Sequence, residues 1–400
     1  MKIVHLLKNP WLRDGRVLSA LWILLGIISA LTKMKAERHN NYDIFRYVFY
    51  NTWNGTSLYA PATDGGFWDI NHYGPFFAVI IAPFAVLPTW LGLLLWDVLL
   101  AVFLYWAIAM LCKELPRLKV LTIWFCAHEL LTALFMQQFN IAIAAIIILS
   151  YYFVEKEKEE YATFFIIIGT LVKLYGIVGL AFFFFSRHKT RYVVSFFIWA
   201  IGLLCLPMLI SSPEYQLGQY MEWFSCLTDK NGENVMSVAQ NISLLGMVRK
   251  IGFGISGSQW WITTFSDLWL ILPGMLLMAI GYFRIGQWKN EMFRQQILAA
   301  VLMFVVLFST GSESSGYIIP FVGCCIWYCC VPWQRTRWDI ALMVLTFVLS
   351  SLSPSDLFPE YVKKEIVQPY ALKALPIVLI WAKLAYEITT KDYKRVTANA

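Results

Sequence analysis

Charge is what this chain has least of. Only 14% of its 400 residues are Asp, Glu, Lys or Arg, against about 25% in an ordinary soluble domain. With 59% hydrophobic and 17% aromatic residues, a soluble globular protein is excluded, and the chain reads as a polytopic, all-α membrane protein. The net charge of +7 does not imply nucleic acid, because the basic residues sit in short clusters between apolar runs and not along one face. A disulfide framework is also missing. Of eight cysteines only Cys226 falls in a long loop; the others lie within or at the ends of apolar runs, where thiols pack as small hydrophobes. The basic N-terminus (Lys2, Lys8, Arg13, Arg16) has no small-residue cleavage site behind it, so the first apolar run reads as a retained span.

Motifs for familiar chemistries are incomplete. Gly252, Gly254 and Gly257 form a G-x-G-x-x-G string with no preceding strand, which makes a flexible loop the better reading than a dinucleotide site. His128-Glu129 opens like a zinc-protease motif, but Thr132 stands where the second histidine belongs. No carboxylate pair has convincing metal spacing. Asn54-Gly55-Thr56 and Asn241-Ile242-Ser243 are sequons that a random chain of this length would also contain.

Apolar runs of about 20 residues, some shorter, predict twelve spans, near 17–33, 74–88, 90–112, 118–136, 139–154, 161–185, 192–211, 264–283, 295–310, 316–332, 338–353 and 371–388. The whole chain, 1–400, is then one integral-membrane domain. Two large loops, 34–74 and 212–263, share one side. Basic density in the short opposite connections puts both termini in the cytoplasm and these loops outside the cytoplasmic (inner) membrane.

Four features stand out against that background. In the first loop Asp43, Arg46, Tyr47 and Tyr50 recur at helical spacing, while Tyr42, Phe45 and Phe49 form an apolar face suited to a bilayer surface. A carboxylate so placed can serve as general base toward a lipid-borne substrate. The second loop offers a helix start at Ser212-Pro213, interfacial aromatics Tyr215, Tyr220, Trp223 and Phe224, a polar turn at 229–234, and an amphipathic run, 235–250, ending in Arg249 and Lys250. Those two cations can complement a helix C-terminus or bind phosphate. Lys173 sits near the middle of its predicted span and needs an anion, which Glu129, Asp97 or a substrate phosphate could supply. Lys373 and Lys383, near span ends, are expected to snorkel. Finally, Glu313 and Tyr317 exceed what the tight turn at 311–317 needs and are candidates for sugar hydroxyls.

Several strings carry a family resemblance. Asp43 and Tyr47, then Gly55-Thr56-Ser57-Leu58-Tyr59, Tyr73-Gly74-Pro75-Phe76 and Pro83-Phe84-Ala85-Val86-Leu87-Pro88 resemble the first external loop and second span of glycosyltransferase family 87, within the GT-C superfamily. Gln138-Phe139-Asn140, Lys173-Leu174-Tyr175, and Asn241-Ile242-Ser243-Leu244 with Arg249 resemble shorter patterns of that family. One string departs from it. Ser312 to Tyr317 lacks the histidines that many members carry there, and Glu313 or Tyr317 would stand in for them.

The resemblance implies a GT-C-type architecture and an inverting transfer of a sugar, mannose favoured, from a polyprenyl-phosphate donor to a hydroxyl of a lipid-linked or membrane-associated glycan acceptor. It implies no cofactor and no metal. Asp43 would be the base; Lys173, Arg249 and Arg46 would meet the donor phosphate; Tyr47, His72, Tyr73, Asn241, Glu313 and Tyr317 would contact substrate. The competing reading is a transporter or flippase of lipid-linked intermediates, with Lys173, Glu129 and Asp97 as an intramembrane relay.

Overall fold

The computed structural model describes residues 10–61 and 69–394. Lys2 and Lys8 of the basic N-terminus lie outside the described residues, as do 62–68 of the first loop and the last six residues. The structure is 76% helix, and no strand occurs among the described residues. Each of the twelve predicted runs is helical over most of its length. Among the described residues three helices are long and apolar enough by themselves to cross a membrane: α1 (Gly15–Lys35), α4 (Thr89–Leu111) and the segment Lys189–Leu209, whose α-helical part is α9 (Lys189–Cys205). A fourth candidate is the pair α5 (Pro116–Phe125) and α6 (Ala127–Phe135), bent by 47°. The remaining runs are shorter helices, among them α7 (Asn140–Glu155), α8 (Glu159–Val172) and α12 (Leu268–Phe283).

The chain forms two compact units. The first comprises Met1–Ile123 and Leu130–Asp229; the second comprises Trp124–Glu129 and Lys230–Ala400.

In the first unit α1 packs on α4, α4 on α7, and α7 on α8. The sequence of α7 explains its central place. A helix that is apolar all round has no face for water, and residues 140–151 of α7 are buried without a gap. The indole of Trp22 donates to the Ile123 carbonyl at 3.0 Å and ties α1 to α5. One expectation needs correcting. The predicted run 161–185 is not one continuous helix: α8 stops at Val172, Lys173 is extended (φ −143°, ψ 120°), and a 3-10 helix, Leu174–Phe185, follows. Such a break is tolerated at membrane depth only where other protein groups take up the freed backbone. Here the Gly74 amide donates to the Val172 carbonyl at 3.0 Å.

In the second unit α13 (Glu291–Leu307) packs against α14 (Ile318–Cys329) and α15 (Leu375–Thr390). A charge cluster that the sequence did not reveal is buried there. Lys373 is only 3% exposed and does not snorkel; its Nζ lies 3.4 Å from both Glu129 carboxylate oxygens, donates to Ser314 Oγ at 2.9 Å, and sits 4.5 Å from the centre of the Tyr317 ring. Glu129 therefore serves Lys373 and not Lys173. Lys383 is held by Asp339. Where the sequence suggested snorkelling cations, the fold supplies counter-charges, because a buried ion without one is far more costly.

Removing one partner of such a pair leaves the other charged and alone. Glu129→Gln and Lys373→Met should each lower stability by roughly 3–5 kcal/mol. The double variant should recover most of that loss, read as the thermal unfolding midpoint of the detergent-purified protein. Equal losses in single and double variants would rule out a paired role.

Candidate active site

The loop helix that carries Asp43, α2 (Asn40–Asn54), ends where the sequence places a glycine. Gly55 adopts φ 68°, its amide donates to the Thr52 carbonyl, and the Thr56 amide reaches Asn51 at 3.0 Å, a Schellman closure that a side chain at residue 55 would strain. At the other end His39 lies one turn before Asp43, and its Nδ1 is 2.7 Å from Asp43 Oδ2. Burial raises the Asp43 carboxyl above the usual carboxylate range, while His39 and then Arg46 pull it back down. Asp43 is half-buried, its side chain 24% exposed, so it combines a raised affinity for protons with access to solvent. The sequence reading missed His39, although a histidine four residues before an acid on a helix is a readable signal.

The apolar face of α2 packs into the protein and not onto a bilayer. Tyr42 is fully buried and Phe45 is 6% exposed, its ring stacked on Tyr73 with centroids 5.1 Å apart. Arg46 is engaged as well. Its guanidinium donates to Thr89 Oγ1 at 2.6 Å and to the Ala85 carbonyl at 3.2 and 3.3 Å, and Tyr42 and Tyr50 donate to the carbonyls of Phe84 and Ala85. Together they satisfy the open C-terminal end of α3 (Phe77–Ala85). Tyr47 stays exposed beside Tyr50.

The Tyr73-Gly74 step joins α2 to Lys173. Tyr73 stacks on Phe45, and its hydroxyl accepts from the Phe139 amide at 2.9 Å. Gly74 lies on the break after α8, where a Cβ would run into the Leu171 carbonyl and press the Trp223 ring at 2.9 Å. The next polar contact belongs to the same neighbourhood: Lys173 Nζ donates to Asn140 Oδ1 at 2.8 Å and sits 4.8 Å from the centre of the Tyr175 ring. Three separate strings, 73–75, 138–140 and 173–175, are thus brought together. Of the two carboxylates expected for Lys173, Glu129 bonds Lys373 and Asp97 lies near Ser29 and Lys33.

The two large loops meet, as a shared compartment requires. Helix α10 (Pro213–Asn234) starts where predicted, with Ser212 Oγ accepting from the Tyr215 amide at 3.2 Å. It runs on through the expected polar turn at 229–234. Trp223 donates to the His72 carbonyl at 2.9 Å, Tyr215 to the Thr56 carbonyl at 2.6 Å, and Gln219 accepts from the Leu58 amide at 2.7 Å. Tyr215 and Trp223 therefore hold the first loop and do not face lipid, whereas Leu217, Met221 and Phe224 are exposed. His72 Nδ1 lies 3.3 Å from Cys226 Sγ, and its Nε2 is 3.6 Å from Asp69.

The other candidates lie in the second unit. Asn241 (φ 52°) accepts from Ser243 Oγ at 2.7 Å and donates to Val235, and Ser243 caps α11 (Leu244–Ser256). Because α11 continues to Ser256, Arg249 and Lys250 are interior to it and do not serve its C-terminus. Arg249 is 4% exposed and paired with Asp267 at 2.6 Å. Lys250 turns back onto the carbonyls of Ser237 (2.7 Å), Gln240 and Asn241, and burial lowers its pKa to about 8. Tyr317 is fully buried and donates to the Ile242 carbonyl at 2.9 Å; Glu313 opens the short turn beside it.

Gly74 offers a direct check on this arrangement. Gly74→Ala should cost on the order of 1–3 kcal/mol through overpacking, measured as a lowered unfolding midpoint, and should weaken whatever depends on the Lys173 break. A variant as stable as the parent would contradict the close approach.

No curated protein matches the chain. A family model does: that of glycosyltransferase family 87 matches residues 71–310, more than half of the chain. The match takes in Tyr73-Gly74, Asn140, Lys173, α10 and Arg249, and it starts after Asp43. An all-helical chain with apolar spans and a loop-borne acid is compatible with that assignment, and by the extent of the match the protein belongs to glycosyltransferase family 87 and is a membrane glycosyltransferase.

Proposed function

We propose that the enzyme transfers a sugar, mannose first among the candidates, from a polyprenyl-phosphate donor to a hydroxyl of a lipid-linked or membrane-associated glycan acceptor, with inversion. The observation that carries this reading is the Asp43–His39 pair: a half-buried carboxylate with a raised pKa, oriented at 2.7 Å by a neighbouring imidazole. The acceptor oxygen attacks the anomeric carbon and its proton passes to Asp43. The bond from the anomeric carbon to the phosphate oxygen breaks, and its electron pair leaves with the lipid phosphate. Lys173, which donates to Asn140, would meet the negative charge that develops on that leaving group.

Arg46 and Arg249 are less suited to the phosphate, because the first caps α3 and the second already has a carboxylate. Tyr47, His72 and Tyr73 border the same loop, and the first two are accessible for substrate contacts. Contact between the two large loops is consistent with one extracytoplasmic reaction surface and cytoplasmic termini in the inner membrane.

Asp43→Asn keeps the shape of the side chain and should lose turnover on the order of 100-fold or more, with donor binding retained. The assay is release of lipid phosphate from a polyprenyl-phosphate sugar in the presence of membrane extract. Turnover close to that of the parent would sink the base assignment. The His39 contact makes a second, signed forecast. His39 lowers the Asp43 pKa, so His39→Ala should raise it, and the acidic limb of the pH–rate profile should move to higher pH; an unmoved limb would leave His39 without a role in tuning the base.

A further inference from the structure

The second unit contains a cavity of about 540 Å³, within the roughly 300–1,000 Å³ usual for small-ligand sites. Its wall is built around Arg249. One terminal nitrogen of that guanidinium donates to the Trp261 carbonyl at 2.6 Å and the other to Asp267 at 2.6 Å, while Nε, equally buried, has no partner. Nε is closed off from solvent, whereas the Asp267 side chain is partly exposed on the cavity wall. The charge at this point is already closed by Asp267. An incoming anion would have to sit beside that carboxylate, so the cavity favours a neutral ligand rich in hydroxyl groups.

The remaining lining fits the same chemistry. Thr310 and Asn231, bonded to each other, supply donors and acceptors on one side. Two aromatic rings are fixed on the other. Phe265 lies 5.1 Å from the Arg249 guanidinium and 5.1 Å from Trp261, and Phe308 is stacked on Phe304 at 4.3 Å. Rigid aromatic surface combined with a few directed polar groups is the usual make-up of a selective small-ligand site.

We propose that this cavity is a carbohydrate subsite that takes an uncharged sugar ring of the acceptor glycan, with Asp267, Asn231 and Thr310 bonding its hydroxyls. The assignment of the ring to the acceptor rests on the glycosyl-transfer reading above; the binding of a neutral sugar does not.

The test uses the full chain in detergent, with methyl α-mannopyranoside as probe in saturation-transfer difference NMR. The parent protein should transfer saturation to the ring protons. Ser266→Trp, which adds bulk at the cavity wall, should reduce the signal at least several-fold, and Thr310→Val should reduce it partially. Inorganic phosphate should not displace the sugar. An absent signal in the parent, an unchanged signal in Ser266→Trp, or displacement by phosphate would each overturn the proposal, the last by making the cavity an anion site. If the cavity variants lose the sugar while Asp43→Asn turns over normally, the base assignment falls and the subsite stands; the reverse pattern sinks the subsite alone.

Discussion

The first unit depends on one close approach: the backbone of Gly74 lying on the end of α8. That contact supplies the Val172 carbonyl with the donor it lacks where the helix breaks, and it is possible only because residue 74 has no side chain to meet Leu171 and Trp223. Tyr73, one residue earlier, stacks on the helix of Asp43 and accepts from the amide that precedes Asn140. The helix that carries Asp43 and the break that carries Lys173 are thereby both contacted by a single two-residue step. Pre-positioning of this kind lets a site favour a transition state without reorganising at the moment of reaction.

Buried charge follows a second constraint. In a chain this poor in ionisable groups, each buried cation needs a reason, and the structure divides them clearly. Lys373, Arg335 and Arg249 face carboxylates, at 3.4, 2.9 and 2.6 Å. Lys250 instead meets neutral carbonyl oxygen atoms. A paired cation contributes little field to a visiting anion, whereas a cation held by an amide or by carbonyls retains its charge toward one.

Much of this was legible in the sequence because it is encoded locally. Apolar runs located the helices, and Ser212-Pro213 marked the start of α10. What escaped was non-local. Nothing in the spacing couples Glu129 to Lys373 across more than two hundred residues, and helical periodicity shows that Tyr42 and Phe45 share a face without saying whether protein or lipid covers it. The break at Lys173 was hidden for a related reason, since its flanks are equally apolar and only the remote Gly74 makes an interruption tolerable. His39 is the exception. It was readable at four residues from Asp43 and was overlooked.

The central claim is a single displacement assisted by a carboxylate base, and its most direct test is stereochemical. With a donor of known anomeric configuration, the configuration of the new linkage can be read from the anomeric proton and carbon signals of the isolated product. The account predicts inversion in the parent enzyme. Retention would require a glycosyl-enzyme intermediate or a front-face route and would contradict the role given to Asp43.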